Sequence, residues 1–290
     1  MRHRSKTTRP HRAAIRALIA FKDLAHAAFG AALLGLPMAC VAAEAPAPAR
    51  ATSVDAHALV TELVKPGLYR IDGGGASATL VRVSPNGLIV VDAKDAGVYG
   101  LLMAELERIA KVSNPPIRAL ILTGSTRAQA GNADRFVDAG IPLIVQKNAL
   151  TTRREAASTG ASAAPSRVIS YDTDYRLVSG GVVVEVEHVG RGRSGADSIV
   201  LFPDLRVAAV GELFTTDTPE PDCAGGGSFA GWAAAITHLL WLDFDLAVPS
   251  RGAPVGKREL VALKAKLEAL AERSAGAAPQ PGCRAGGTPP

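Results

Sequence analysis

The side chains best suited to chemistry are sparse and badly spaced for it. Beyond residue 43 the chain holds three histidines, His57, His188 and His238, and two cysteines, Cys223 and Cys283, none within metal-ligand spacing of another. The stretch ILTGSTRAQAGN, Ile121 to Asn132, follows an apolar run and ends in Gly131-Asn132, where a helix can start. A loop between a strand and a helix is a common place for a site, yet this one contains no His, Asp, Glu or Cys. A catalytic zinc needs about three protein ligands plus a water. This stretch cannot supply them.

The elements that must position such a loop alternate along the chain. GLYRI, SATLVRV and LIVVDA (Leu88 to Ala93) read as strands, the last two joined by an SPNG turn. Val98, Leu102, Leu106, Ile109 and Val112 recur at helical spacing. IRALILT is a buried strand, Asn132 to Val137 a short helix, IPLIVQ a strand and NALTTRREAAS a helix. The second half repeats the mixture. YRLVSGGVVVEVEHV is a hairpin about Gly180-Gly181, and SIVLFPDLRVAAVGELF another turning at Pro203-Asp204. SFAGWAAAITHLLWL is helical, FDLAVPS a strand and KRELVALKAKLEALAERS a closing amphipathic helix. Two β-rich halves, each finished by helices, predict an α/β (αββα) sandwich: two mixed sheets packed face to face, helices on the outer faces.

Five segments in this order, NGLIVVDA, LILTGSTRAQAGN, GRGRSGADSIVLFPDLRVAAVGELF, GGSFAGWAAAITHLLWLDFD and VPSRG, resemble the metallo-β-lactamase fold superfamily from about Gly67 to the last helix. The resemblance implies a His-x-His-x-Asp-His loop binding one or two zinc ions. Its four ligand positions fall on Gly124, Thr126, Ala128 and Gln129. A fifth, after a Gly-rich turn, falls on Arg193, the bridging Asp on Glu212 and the last His on Arg251. Glu212 alone among these can ligate a metal, since a guanidinium stays protonated and offers no lone pair. Zinc is the cofactor the family implies, and its ligands are missing here, so no cofactor is expected.

The same resemblance gathers Arg193, Arg251 and Glu212 in one pocket, with Arg127 and Thr126 beside them. Two readings follow. In one, Glu212 pairs with an arginine and the hole closes as a structural salt bridge. In the other, the arginines hold a small anionic ligand, to which their forked guanidinium is suited. Ser125, Ser194 and Ser250 flank the ligand positions, but no His falls where it would activate them. Asp92 and Asp197 fall on acidic positions of the family and are expected to hold neighbouring loops. Function accordingly reads as a non-catalytic binding protein, a pseudoenzyme; the alternative is a zinc-dependent hydrolase with an atypical site.

The formal charge of +5 does not mark a nucleic-acid binder, because it sits in the leader. Residues 1–43 hold seven Lys/Arg and one acid, and the remainder carries 25 bases against 26 acids. That leader, with a basic start, the apolar run Ala27 to Ala43 and small residues after it, reads as a secretory signal cleaved after Ala43 or Ala45. A periplasmic or secreted protein with no stable span follows. Pro37 disfavours both a membrane span and the lipoprotein alternative, in which Cys40 is acylated. Residues 44–54 form a Pro/Ala linker, 55–273 the domain, and 274–290 a tail of disordered composition. An oxidising compartment permits a Cys223–Cys283 disulfide; the loop and tail composition around them equally permits free thiols.

Overall fold

The computed structural model describes residues 58–156 and 167–275. The leader, the linker, the tail beyond 275, His57, Cys40 and Cys283 lie outside the described residues.

Twelve strands and six helices make up the described chain: β1 (Val60–Lys65), β2 (Leu68–Asp72), β3 (Thr79–Ser84), β4 (Gly87–Val91), α1 (Tyr99–Ala110), β5 (Ile117–Ile121), α2 (Arg127–Ala130), α3 (Ala133–Asp138), β6 (Leu143–Gln146), α4 (Lys147–Ala156) and β7 (Val168–Tyr171) in the first half. The second half holds β8 (Asp174–Ser179), β9 (Val182–His188), β10 (Ser198–Phe202), β11 (Val207–Gly211), α5 (Phe229–Trp241), β12 (Leu246–Pro249) and α6 (Lys257–Ala275). Strands β1 to β7 form one sheet in sequence order, antiparallel as far as β4 and parallel from there. The second sheet runs β12-β11-β10-β9-β8, with only the β11–β12 pair parallel. Both sheets are mixed.

The apolar strands are apolar because both of their faces are covered. In β4, Leu88 and Val90 pack under the helices of the first half, while Ile89 and Val91 face the other sheet. In β5 the division is Leu120 and Leu122 against Ala119 and Ile121. Across the interface, Val200, Phe202, Val207 and Ala209 join the shared layer. Their neighbours Ile199, Leu201, Ala208 and Val210 pack with Trp232, Ile236 and Leu239 of α5 and Leu260, Leu263 and Leu267 of α6. Period-two alternation thus builds three apolar layers: helices on sheet, sheet on sheet, sheet on helices. The expected αββα sandwich is the observed one.

Several boundaries differ from the sequence reading. Helix α1 ends at Ala110 because Lys111 turns left-handed, with φ 57°, leaving Val112 exposed. Helix α3 starts at Ala133, since the Asn132 side chain instead donates to the carbonyls of Ala93 (2.8 Å) and Asp95 (2.6 Å). Helix α6 runs through Ala275, so the expected tail begins two residues late. Strands β1 and β7 and the one-turn α2 have no counterpart among the expected elements; β1 is mostly exposed and shows no buried face to read. No described helix is long and apolar enough to cross a membrane.

Candidate functional site

The ends of the central strands converge on one edge of the sandwich, and backbone hydrogen bonds hold them there. Ser198 N donates to Thr123 O (2.9 Å), Ser250 N to Gly211 O (2.8 Å) and Ala78 N to Ser250 O (2.7 Å). The first and third of these join the two sheets. Gly211 has φ 54°, and a Cβ there would meet Thr123 Oγ1 at 2.5 Å. The clash excludes a side chain there, and the left-handed backbone disfavours one. That turn is what places Glu212 at the strand end.

Behind the edge lies a chain of polar groups that satisfies itself. Asp92, buried and left-handed at φ 62°, accepts from Thr123 N (2.8 Å) and Thr123 Oγ1 (2.6 Å). Gln129 Nε2 donates to Thr123 Oγ1 (2.7 Å), and Gln129 Oε1 accepts from Thr126 Oγ1 (2.9 Å). Burial pushes the Asp92 carboxyl up to about 7, against the Thr123 hydrogen bonds, with the Glu212 charge adding to the rise. Asp197 is the counterpart in the other half. It accepts from Ser194 N (2.7 Å) and Ser194 Oγ (2.9 Å), and burial raises it to about 6. Both aspartates bind loops, as expected of them. His188 contacts Asp197 O through Nδ1 (2.8 Å), and burial lowers its pKa.

In front of that chain a cavity of about 690 Å³ opens, walled by Arg193, Glu212, Ser250 and Arg251. Arg193 Nη1 lies 2.8 Å from Glu212 Oε2, with side-chain exposures of 25% and 11%. Arg251 is exposed and makes no ion pair among the described residues. Ser250 is only 5% exposed, and its hydroxyl, closed off from solvent, has no hydrogen-bond partner among the described residues. The segment after β11 lines it further, with Thr215, Thr216, Asp217, Thr218 and Glu220, and Phe214 and Trp232 provide its apolar backing. Trp232 Nε1 donates to Leu213 O (2.8 Å), which fixes that backing. The loop at 222–227 shapes Arg193 from behind: Asp222 N donates to Arg193 O (2.7 Å), and Gly227 sits where a Cβ would be 1.9 Å from the same oxygen. Cys223, in this loop, is disulfide-bonded.

Three of the expected pocket residues, Arg193, Glu212 and Arg251, do come together. The other two do not join them. Arg127 is exposed on the first turn of α2 and Thr126 caps that helix with its side chain bonded to Gln129, so neither lines the cavity. Gly124 is packed against Gln129, where a Cβ would lie 2.4 Å from Oε1, and Ala128 is half-buried on α2. The threonine-rich acidic wall was missed; its only signal is the run TTDTPEPD between a strand and a helix. Of the flanking serines only Ser250 reaches the cavity, and no histidine lines it.

The donor set does not fit the zinc that the resemblance implies. The Glu212 carboxylate faces a guanidinium, and Gln129 spends both ends of its amide on threonines. Among the described residues no three His, Cys, Asp or Glu side chains converge to hold a metal ion.

No family model matches the sequence, and no curated protein matches it. Solved structures do match in shape. A metallo-β-lactamase from Pontibacter korlensis superposes with a TM-score of 0.63 at 17% identity, covering 73% of this chain and 99% of its own. The FIM-1 metallo-β-lactamase of Pseudomonas aeruginosa, in a mono-zinc form, gives 0.62 at 18%, covering 77% and 99%. A stereoselective inverting sec-alkylsulfatase from Pseudomonas sp. gives 0.57 at 16%, with 75% of this chain matching 43% of that one. Neighbours of two different activities share the architecture, which therefore does not fix the reaction. The two mixed sheets, their helical covers and these neighbours together establish that the chain has the metallo-β-lactamase fold.

Proposed function

We propose that the chain is an exported, non-catalytic protein of the metallo-β-lactamase fold, lacking the zinc ligands and holding a small anionic ligand in the cavity at the sandwich edge. The observation that carries this reading is Arg251, a guanidinium in the cavity wall with no ion-pair partner among the described residues. Arg193 already has its carboxylate in Glu212. The two readings of the arginines therefore coexist: one closes a salt bridge, and the other leaves donors facing open space. A cavity of about 690 Å³ is within the range of small-molecule sites. Among the described residues no histidine lines the cavity and no three His, Cys, Asp or Glu side chains converge on a metal site, which supports a binding role over hydrolysis.

Thermal unfolding of the dialysed mature protein with sulfate, phosphate and carboxylates tests the reading. Ligands that bind only the folded state raise Tm by mass action, and the response should weaken with salt and be lost in Arg251→Met. Elemental analysis of the same sample should find zinc well below one ion per chain. A stoichiometric zinc content with turnover of β-lactam, thioester or phosphodiester probes would replace this reading with that of an atypical zinc hydrolase.

A further inference from the structure

The charges around the cavity carry more information than the presence of arginine. Its wall holds two guanidiniums, Arg193 and Arg251, but three carboxylates, Glu212, Asp217 and Glu220. The Arg193–Glu212 pair cancels itself at 2.8 Å. Arg251 then remains in the lining of the same cavity as Asp217 and Glu220, and none of the three forms an ion pair among the described residues. Lys266 approaches this wall, but its amine donates to the backbone carbonyl of Asp217 (3.3 Å), not to the carboxylate. A simple dianion would meet one free cation and two free carboxylates. A neutral ligand would leave all three charges without a partner.

Resting on the ligand-pocket reading above, we infer that the anionic group held there is the carboxylate of a zwitterion of amino-acid or short-peptide size. Its carboxylate lies against Arg251, and its ammonium against Asp217 and Glu220. A guanidinium accepts a carboxylate in a forked, two-bond geometry. An ammonium is a compact donor of three hydrogen bonds, which carboxylates and the hydroxyls of Thr215, Thr216 and Thr218 can receive. The Asp217 and Glu220 side chains accept no hydrogen bond from the described residues, so they are not committed to folding.

The test compares three near-isosteres on the full mature protein by calorimetric titration: dialanine, which has both charges, N-acetyl-dialanine, which keeps only the carboxylate, and dialaninamide, which keeps only the ammonium. Dialanine should bind about fivefold more tightly than either, the size expected from one further solvent-accessible charge pair. Arg251→Met should weaken dialanine and N-acetyl-dialanine alike. The double variant Asp217→Asn, Glu220→Gln should weaken dialanine about fivefold and leave N-acetyl-dialanine as tight or tighter. Equal binding of dialanine and N-acetyl-dialanine, or indifference of dialanine to the double variant, would overturn the zwitterion while leaving an anion pocket standing. Should none of the three compounds nor sulfate bind, the pocket reading itself falls with it.

Discussion

Breaking the Arg193–Glu212 pair from its two ends should have unequal consequences. The two side chains meet at 2.8 Å, but Glu212 is 11% exposed and Arg193 25%. Glu212 also acts electrostatically on two buried carboxyls, Asp92 and Asp197. Arg193→Met therefore strands the more buried carboxylate among like charges. Removing one partner of a buried pair typically costs about 3–5 kcal/mol. Because a quarter of Arg193 reaches water, we expect the lower part of that scale, about 2–3 kcal/mol. Glu212→Gln leaves a guanidinium that can shift its head towards solvent. It also relieves Asp92 and Asp197 of a neighbouring negative charge, so its cost should be nearer 1 kcal/mol. The double variant removes both charges and should cost about 1 kcal/mol as well, which makes the coupling energy about 2 kcal/mol. Urea unfolding of the four proteins at pH 7.5 measures this, provided the slope of free energy against urea stays constant. An Arg193→Met variant no less stable than Glu212→Gln, or a double variant equal to the sum of the singles, would refute the reasoning.

Three further outcomes follow from the same region. Asp92 and Asp197 have folded-state pKa values raised to about 7 and about 6. A carboxyl raised in this way contributes stability fully present below its unfolded value near 4 and lost as pH rises through the folded one. The urea midpoint should fall from pH 4 to about 7 and then level, and Asp92→Asn should flatten much of that slope; a midpoint level from pH 4 to 7 would show both carboxylates ionised throughout. Gln129→Leu removes an amide bonded to Thr123 and Thr126 and should cost about 2 kcal/mol; Gln129→Glu, adding a buried charge near Asp92, should cost more by the same unfolding measurement, and a milder effect would sink this account of the network. N-terminal sequencing of protein from the native host should begin near Glu44 or Pro46, and thiol titration of that unreduced, denatured protein should find none free, as Cys223 is disulfide-bonded; an intact leader or two free thiols would contradict the respective expectation.

The fold was legible wherever a strand is buried on both faces. LIVVDA and IRALILT are nearly continuous apolar runs because they lie between helices and the opposite sheet. Strand β1 was illegible for the opposite reason: it sits on an edge with Val60 and Leu63 exposed, and it pairs only with β2. Lys94 was not legible at all. It is fully buried, with Nζ donating to the carbonyls of Gly73 (2.8 Å) and Ser77 (2.9 Å). Burial lowers its pKa to about 8. Nothing in the local sequence announces that a glycine-rich turn some twenty residues earlier will supply those acceptors.

For the site, strand ends were readable and loops were not. Glu212 and Arg251 directly follow or closely trail β11 and β12, so the sheet itself dictates where their backbones emerge. Thr126 and Arg127 were misplaced because α2, a single turn, rotates Arg127 to solvent while Gln129 turns inward. The wall from Thr215 to Glu220 has no periodicity, and its position depends on Trp232 anchoring Leu213 from a distant helix. What holds the strand ends together is backbone: Ser198 on Thr123, Ser250 on Gly211, Ala78 on Ser250. Asp92, Thr123, Gln129 and Thr126 then satisfy one another behind them. None of these bonds uses the side chain of Arg193, Glu212 or Arg251. The sandwich edge can therefore keep its shape while the side chains at the mouth vary. A likeness of fold accordingly carries little weight for activity here, and the function has to be argued from those three residues and the acidic segment that lines the same cavity.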